Sequence, residues 1–523
     1  MTATEAAAHV SDVTEAADVT HATDAIEPSS AVAVVGTGTM GQGIAQVALV
    51  AGHRVRLYDA VPGRAPEAAE AIGARLDRLV EKGRMDASAR DAARGRLHPA
   101  ADLSELADCA LVVEAVLEQL DVKQQLFGEL EKIVAEDCLL ATNTSSLSVT
   151  AIAGALRLPG RFVGLHFFNP APLLPLVEVV SGFATDGTAA TRAYATAKAW
   201  GKTPVRCADT PGFIVNRVAR PFYAEALRVH EERGADPATI DAVLRECGGF
   251  RMGPFELTDL IGQDVNEAVT RSVWESFFQD PKFTPSLAQR RLVQSGRLGR
   301  KSGQGWFPYA EGTERPEPQT ASPAKVPEAI TVRGDLGPAE PLVALFEEAG
   351  IKVRRRGGGG FIGLPRGGRL CLADGETSVE FYDQEIIHFD LALDYAAATR
   401  IAVSTAATTS PESLQEAIGL FQAIGKRVSV IEDVPGMIVA RTVAMLADIA
   451  ADAVDRGVAS AEDVDTAMRL GVNYPAGPLE WAAEVGFQRI CDLLGELHER
   501  YPTGRYAPSL GTVRRGYEEN GDS

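Results

Sequence analysis

Glycines at positions 36, 38 and 41 lie in VAVVGTGTMGQGIAQVALV, which runs from Val32 to Val50. They follow an apolar β-branched run and open an apolar helix, the setting in which a backbone can close on a pair of phosphates. Gly36 permits the tight turn, Gly38 lets the main chain approach a pyrophosphate, and Gly41 lets helix and strand pack closely. Thr39 and Met40 sit between them at the helix start, where the N–H groups face an anion. Asp59 closes the next apolar run, 23 positions after Gly36. A carboxylate there accepts from both ribose hydroxyls and repels a 2′-phosphate, which favours NAD over NADP. Flavin proteins share the fingerprint, so FAD stays open on these residues alone.

Such a grip needs a sheet to hold it. The runs AVAVVG, RVRLYD, CALVVEAV, CLLATNTS, RFVGLHFF and PLVEVV read as strands alternating with helices, which implies a parallel, doubly wound sheet over residues 31–208. The charged stretch between Arg64 and Leu106 has helical spacing with a glycine break and reads as a helical hairpin projecting from that sheet. From Asp209 the pattern is helical only, to about residue 310. A Pro-, Glu- and Thr-rich segment, 311–328, then reads as a linker.

Beyond the linker the chain repeats itself. WGKTPVRCADTPGFIVNR from Trp200 matches IGKRVSVIEDVPGMIVAR from Ile424, and MGPFELTDLIG from Met252 matches AGPLEWAAEVG from Ala476, all at an offset of 224. One shared offset means an internal duplication. Residues 329–432 keep a strand, glycine, helix, strand plan without GxGxxG and read as a degenerate Rossmann-like domain; residues 433–515 read as a second helical domain.

Bulk properties narrow the class. A length of 523 residues suggests about three or four domains. The net charge of −20 argues against nucleic acid, and no apolar run reaches the roughly 18 residues of a membrane span. Six cysteines, at 109, 138, 207, 247, 371 and 491, show no CxxC pair and no zinc-like spacing. They predict no metal site and a reducing, cytoplasmic compartment. Residues 1–30 carry acidic groups without one Lys or Arg, unlike a secretory or mitochondrial leader, and read as a disordered acidic tail.

The later motifs TNTSSLSVTAIA, GLHFFNPAPLLPLVEVV, DTPGFIVNR and GRKSGQGWF resemble, in that order, those of the 3-hydroxyacyl-CoA dehydrogenase family. The resemblance covers Ala31 to Tyr309 and again the helical repeat after Val434; by length the chain is most similar to the long bacterial stand-alone members. It implies NAD-dependent oxidation of an L-3-hydroxyacyl-CoA in fatty-acid or aromatic, phenylacetate-type, catabolism. In that setting His166 is the base for the hydroxyl proton, and Glu178, twelve positions on, orients the ring and stabilises the imidazolium. Out of context the pair would be a satisfied core histidine and an ordinary ion-pair partner.

The resemblance further implies that Ser145 and Asn216 hold the substrate oxygen, that Glu118, Lys123, Ser145, Asn169 and Lys301 contact the nucleotide, and that basic residues of the helical insert, Arg78, Lys82 and Arg84, meet CoA phosphates, with Lys82 the residue named. Family members with one helical domain pair across a dimer. The second helical domain here is therefore expected to supply that packing internally, giving a monomer with an internal pseudo-dimer, or a homo-oligomer. Ala440 stands where Asn216 would recur, so one active site per chain is expected. A related hydroxyacid or sugar-acid dehydrogenase without CoA, and a non-catalytic NAD-binding assembly protein, are the competing readings.

Overall fold

The computed structural model describes residues 24–381 and 383–521, which fall into two units. The first comprises the described residues up to Thr144 together with Val149–Pro204; the second comprises Ser145–Ser148 and Val205 onward. Among the described residues no helix is long and apolar enough to cross a membrane. The acidic tail expected over 1–30 lies outside the described residues as far as position 23. Its last part belongs to the fold: Ile26 is buried and its N–H donates to Thr196 Oγ1.

The first sheet contains β1 (Ala31–Val35), β2 (Arg54–Tyr58), β3 (Leu97–Pro99), β4 (Cys109–Glu114), β5 (Leu139–Thr142), β6 (Phe162–Phe167), β7 (Leu176–Ser181) and β8 (Thr203–Ala208). Their order is β3-β2-β1-β4-β5-β6-β7-β8. AVAVV of β1 is buried throughout because a central parallel strand is covered on both faces. Helix α1 (Thr39–Val50) packs Ile44, Ala45 and Ala48 onto it.

The expectation of a wholly parallel sheet is corrected at β7, which runs antiparallel to β6. A parallel return needs a dozen or more residues. Residues 168–175 are too few, so the chain reverses. β3 and β8, too short or too polar to stand out in the sequence, extend the sheet at its edges. The helical insert forms α2 (Arg64–Glu81) and α3 (Ala87–Gly95), separated at Gly83, whose φ of +64° suits glycine. Rather than projecting freely, α2 buries Ile72 and Leu76 in the same core as α1. Helix α4 (Leu120–Ile133) covers the opposite face, with Phe127 edge-on to Phe162.

In the second unit the offset of 224 recurs as geometry. Asp241 accepts from the N–H groups of Phe255 and Glu256, and Asp465 from those of Leu479 and Glu480. Phe213 and Met437 share a left-handed φ of 50° and 51°. Pro221 interrupts the first copy into helices Val215–Val218 and Arg220–Glu231; Met445 occupies that place in the second, and helix Val439–Asp455 runs unbroken.

The two helical sets pack on each other through charged pairs. Arg217 binds Asp452 at 2.7 Å, while its counterpart Arg441 binds Glu225 at 2.8 Å and Glu232 at 2.7 Å. Arg505 and the Tyr506 hydroxyl also reach Glu225, which is fully buried. The arginines outweigh the cost of burial and hold its pKa down at about 2.

A second sheet contains β9 (Ala329–Arg333), β10 (Lys352–Arg356), β11 (Phe361–Gly363), β12 (Arg369–Leu372), β13 (Ile386–Phe389), β14 (Arg400–Thr405) and β15 (Arg427–Ile431), ordered β10-β9-β11-β12-β13-β14-β15. The segment expected as a linker does not separate two bodies. It lies inside the second unit and is tied to β15 by the N–H of Ala321 on Val428 O and the Gln319 side chain on Val430 N.

Candidate active site

The reversal at β7 decides what His166 meets. In the β6/β7 register His166 lies directly opposite Glu178, with imidazole Nδ1 2.5 Å from carboxylate Oε2. His166 is 5% exposed and Glu178 0%. In the tautomer whose Nδ1–H donates to Glu178, the lone pair is on Nε2, the atom that can take a proton from a substrate hydroxyl. Phe168 packs at a tilt on the ring, centroids 4.5 Å apart. Asn143 Oδ1 accepts the N–H of Phe167 at 2.9 Å and so fixes the end of β6.

The nucleotide loop passes a test for its cofactor. A Cβ on Gly36 would stand 2.4 Å from Ala115 O, and one on Gly41 1.9 Å from Gly36 O, whereas at Gly38 it would meet nothing within 4 Å. The first two glycines close the loop on the protein, and the third leaves space where a phosphate pair would approach. No side chain caps α1 and no acid lies in its first turn, so its N–H groups are compatible with an anion. Thr39 is exposed and Met40 packs against the core. Asp59 Oδ2 accepts from Thr37 N–H and its hydroxyl, and Oδ1 from Val61 N–H. Partial burial would raise its pKa, but these bonds, with Arg64 nearby, hold it below the ordinary value.

Of the remaining expected nucleotide residues, Glu118 and Lys123 come together. Lys123 is buried with Nζ 2.6 Å from Glu114 and 3.2 Å from Glu118, while Thr144 donates to Glu118 at 2.6 Å. Glu114 was missed by sequence reasoning. It also accepts from Thr142 Oγ1 and from Val116 N–H, tying β4, β5 and α4 together. Its signal was present, a carboxylate ending the otherwise apolar strand CALVVE.

Asn169 and Thr39 border a cleft of about 400 Å³, together with Lys82, Arg75, Arg78 and Arg84 of the insert. Arg75 was not singled out in the sequence. In the second unit Asn216 Nδ2 points to Ser145 O at 3.5 Å, and Lys301 Nζ is held by Asp264 at 2.6 Å and 2.8 Å.

Family models agree with this division of labour. The "3-hydroxyacyl-CoA dehydrogenase, NAD binding domain" matches residues 31–210, and the corresponding C-terminal domain matches 212–309 and 436–517. A "3-hydroxybutyryl-CoA dehydrogenase reduced Rossmann-fold domain" matches 370–435. The 3-hydroxyadipyl-CoA dehydrogenase of Escherichia coli is 44% identical over 94% of this chain and 98% of its own. The chain belongs to the 3-hydroxyacyl-CoA dehydrogenase family.

A crystal structure of 3-hydroxybutyryl-CoA dehydrogenase from Escherichia coli superimposes with a TM-score of 0.87 and 42% identity, covering 95% of this chain and all of that one. A probable 3-hydroxybutyryl-CoA dehydrogenase of Deinococcus radiodurans is 41% identical over 53% of this chain and 99% of its own. Membership makes the chain an oxidoreductase and NAD its cofactor, and the loop around Gly38 and Asp59 fits that molecule.

The positions 224 residues further on carry other side chains. At the same offset Asp390 replaces His166, Ala402 replaces Glu178 and Ala440 replaces Asn216. The strand pairing persists, with Asp390 N–H donating to Ala402 O at 3.0 Å. The Asp390 carboxylate is fully buried and accepts from the N–H groups of Ile438, Val439, Ala440 and Leu391. It ties down the start of helix Val439–Asp455. Burial pushes its pKa up to about 6 against the pull of those bonds.

Proposed function

We propose that this family member oxidises an L-3-hydroxyacyl-CoA to the 3-ketoacyl-CoA. The observation that carries the reading is the buried His166–Glu178 pair, 2.5 Å apart across antiparallel strands. His166 Nε2 takes the hydroxyl proton as the carbon–oxygen double bond forms. Glu178 balances the charge that arrives on the ring and fixes its orientation. NAD, when bound, supplies the acceptor for the hydride leaving the carbinol carbon. Ser145 and Asn216 are assigned to hold the oxygen, as hydroxyl in one direction and carbonyl in the other. Glu118, Lys123, Asn169 and Lys301 are assigned to the nucleotide.

The CoA portion is assigned to the basic cleft that Lys82 shares with Arg75, Arg78 and Arg84. Arginine forks suit phosphate oxygens there. The relative aligned over nearly the whole chain is named for an acyl group with a terminal carboxylate, so 3-hydroxyadipyl-CoA is the first candidate substrate, in phenylacetate-type or fatty-acid catabolism. One catalytic centre per chain follows from Asp390, Ala402 and Ala440.

Replacing His166→Ala is expected to abolish turnover of 3-hydroxyadipyl-CoA and 3-hydroxybutyryl-CoA while NADH binding, read by fluorescence, stays near that of the parent. Full activity in that variant would remove the base from the scheme. Comparing kcat/KM for the two thioesters and their free acids tests the acyl and CoA assignments.

A further inference from the structure

The second sheet has two unlike faces. Ile330 and Val332 of β9, Ile362 of β11 and Leu370 and Leu372 of β12 are aligned by register and buried on the side of Leu342 and Phe346 in helix Pro341–Glu348. The opposite side carries cations in rows. Arg356 lies beside Arg333, which lies beside Phe361; Arg354 lies beside Thr331, which lies beside Gly363; Lys352 lies beside Ala329. Arg369 faces Gly363 from β12. Lys352, Arg354 and Arg356 are exposed, and Arg333, Thr331 and Phe361 half-buried.

Among the described residues, no carboxylate stands within ion-pair distance of Arg333, Lys352, Arg354 or Arg356. Arg355, pointing the other way, is paired with Glu340. In a chain of net charge −20 this is an unusual accumulation. Like charges side by side on neighbouring strands repel, as Arg356 and Arg333 do here. The repulsion is relieved when an anion lies over the rows. Arginine supplies forked donors that match phosphate oxygens in pairs.

Two further features set the size and kind of the anion. Thr331, Arg354 and Gly363 also line a cleft of about 700 Å³, within the range of small-molecule sites; Lys325 and Arg366 border it together with Glu328, Glu412 and Glu416, the last paired with Arg366, so the unpaired cation facing it from the rows is Arg354. Phe361 is flanked by the guanidiniums of Arg369 and Arg333, 5.1 Å and 6.0 Å from its centroid. The three make a cationic, aromatic platform against which a base can stack.

We propose that this face of the second sheet is a second ligand site, for a nucleotide bearing two or more phosphates. Arg354, Arg356 and Lys352 hold the phosphates and the Phe361 platform takes the base. Its chemistry is shared by free ADP and by the nucleotide end of CoA. It uses none of the residues assigned to dehydrogenation.

The test is calorimetric titration of the full chain, saturated with NADH, by ADP, by CoA and by inorganic pyrophosphate in separate runs. One event per chain is expected with ADP. The double substitution R354Q/R356Q should weaken it at least about tenfold, equivalent to about 1.4 kcal/mol, leaving kcat and the KM for NAD unchanged. Phe361→Ala should weaken ADP more than pyrophosphate. An R354Q/R356Q-sensitive event with CoA alone identifies the substrate itself as the occupant, and one with both identifies nucleotides generally. Absence of any such event, or binding indifferent to R354Q/R356Q, overturns the proposal and leaves these charges as guards of an edge strand.

Discussion

Replacing Glu178→Gln tests the His166 scheme most directly, because it keeps side-chain volume and removes only the charge. The carboxylate is 0% exposed and 2.5 Å from Nδ1, so no water can substitute for it. When the substrate proton arrives, the parent holds an imidazolium against a carboxylate; the variant holds a buried cation against an amide. Breaking a buried pair in this way costs about 3–5 kcal/mol. At about 1.36 kcal/mol per decade that is a loss of roughly 10²–10⁴ in kcat. Because side-chain volume is kept, the variant should fold as before.

NADH oxidation in the presence of 3-ketoacyl-CoA, followed by absorbance, gives kcat and KM. NADH fluorescence titration and thermal melting, run in parallel, report cofactor binding and fold. The expected result is a fall in kcat with NADH affinity within about threefold of the parent, a difference below about 0.7 kcal/mol. A kcat within about threefold of the parent, in a variant that melts normally, would show that Glu178 does not balance charge on His166 in the rate-limiting step.

Gly41→Ala would drive a Cβ to within 1.9 Å of Gly36 O. At an overpacking cost of about 1–3 kcal/mol, NADH affinity should fall about ten- to hundredfold, and unchanged affinity would argue against a closed loop there. Glu225→Gln removes the buried carboxylate that Arg441 and Arg505 share at the junction of the two helical sets, leaving Arg441 paired with Glu232, and a loss of about 3–5 kcal/mol in urea unfolding is expected. Because the folded pKa of Glu225, about 2, lies below its ordinary 4.5, its stabilisation is complete above pH 4.5 and is lost as pH falls toward 2. Acid unfolding of the parent, compared with the variant, checks this window. Asp390 has the opposite sign: with a folded pKa of about 6 against an ordinary 3.8, its share of stability is largest below pH 3.8 and declines as pH rises through 6. Asp390→Asn should flatten stability between those limits without changing kcat, and a loss of turnover would mean that the second copy takes part in catalysis.

Much of this molecule could be read along the chain. The glycines at 36, 38 and 41, the acid at 59, the order of the later motifs and the 224-residue repeat are local patterns, set by backbone conformations that only certain residues adopt or by chain spacing that survives folding. What escaped were strand direction and pairing between distant segments. The His166–Glu178 pair was expected from the resemblance, but the antiparallel β7 that sets Glu178 across from His166, forced by the short return through residues 168–175, was not. Glu114 looked like the end of a strand until α4 brought Lys123 onto it. Arg354 and Arg356 were not singled out in the sequence; the pairing of β9 with β10 and β11 aligns Arg333 and Phe361 beside them. A sequence carries period and propensity within each element; strand direction and register depend on which elements meet, and a shift of one residue in that meeting would have turned each of these side chains to the other face.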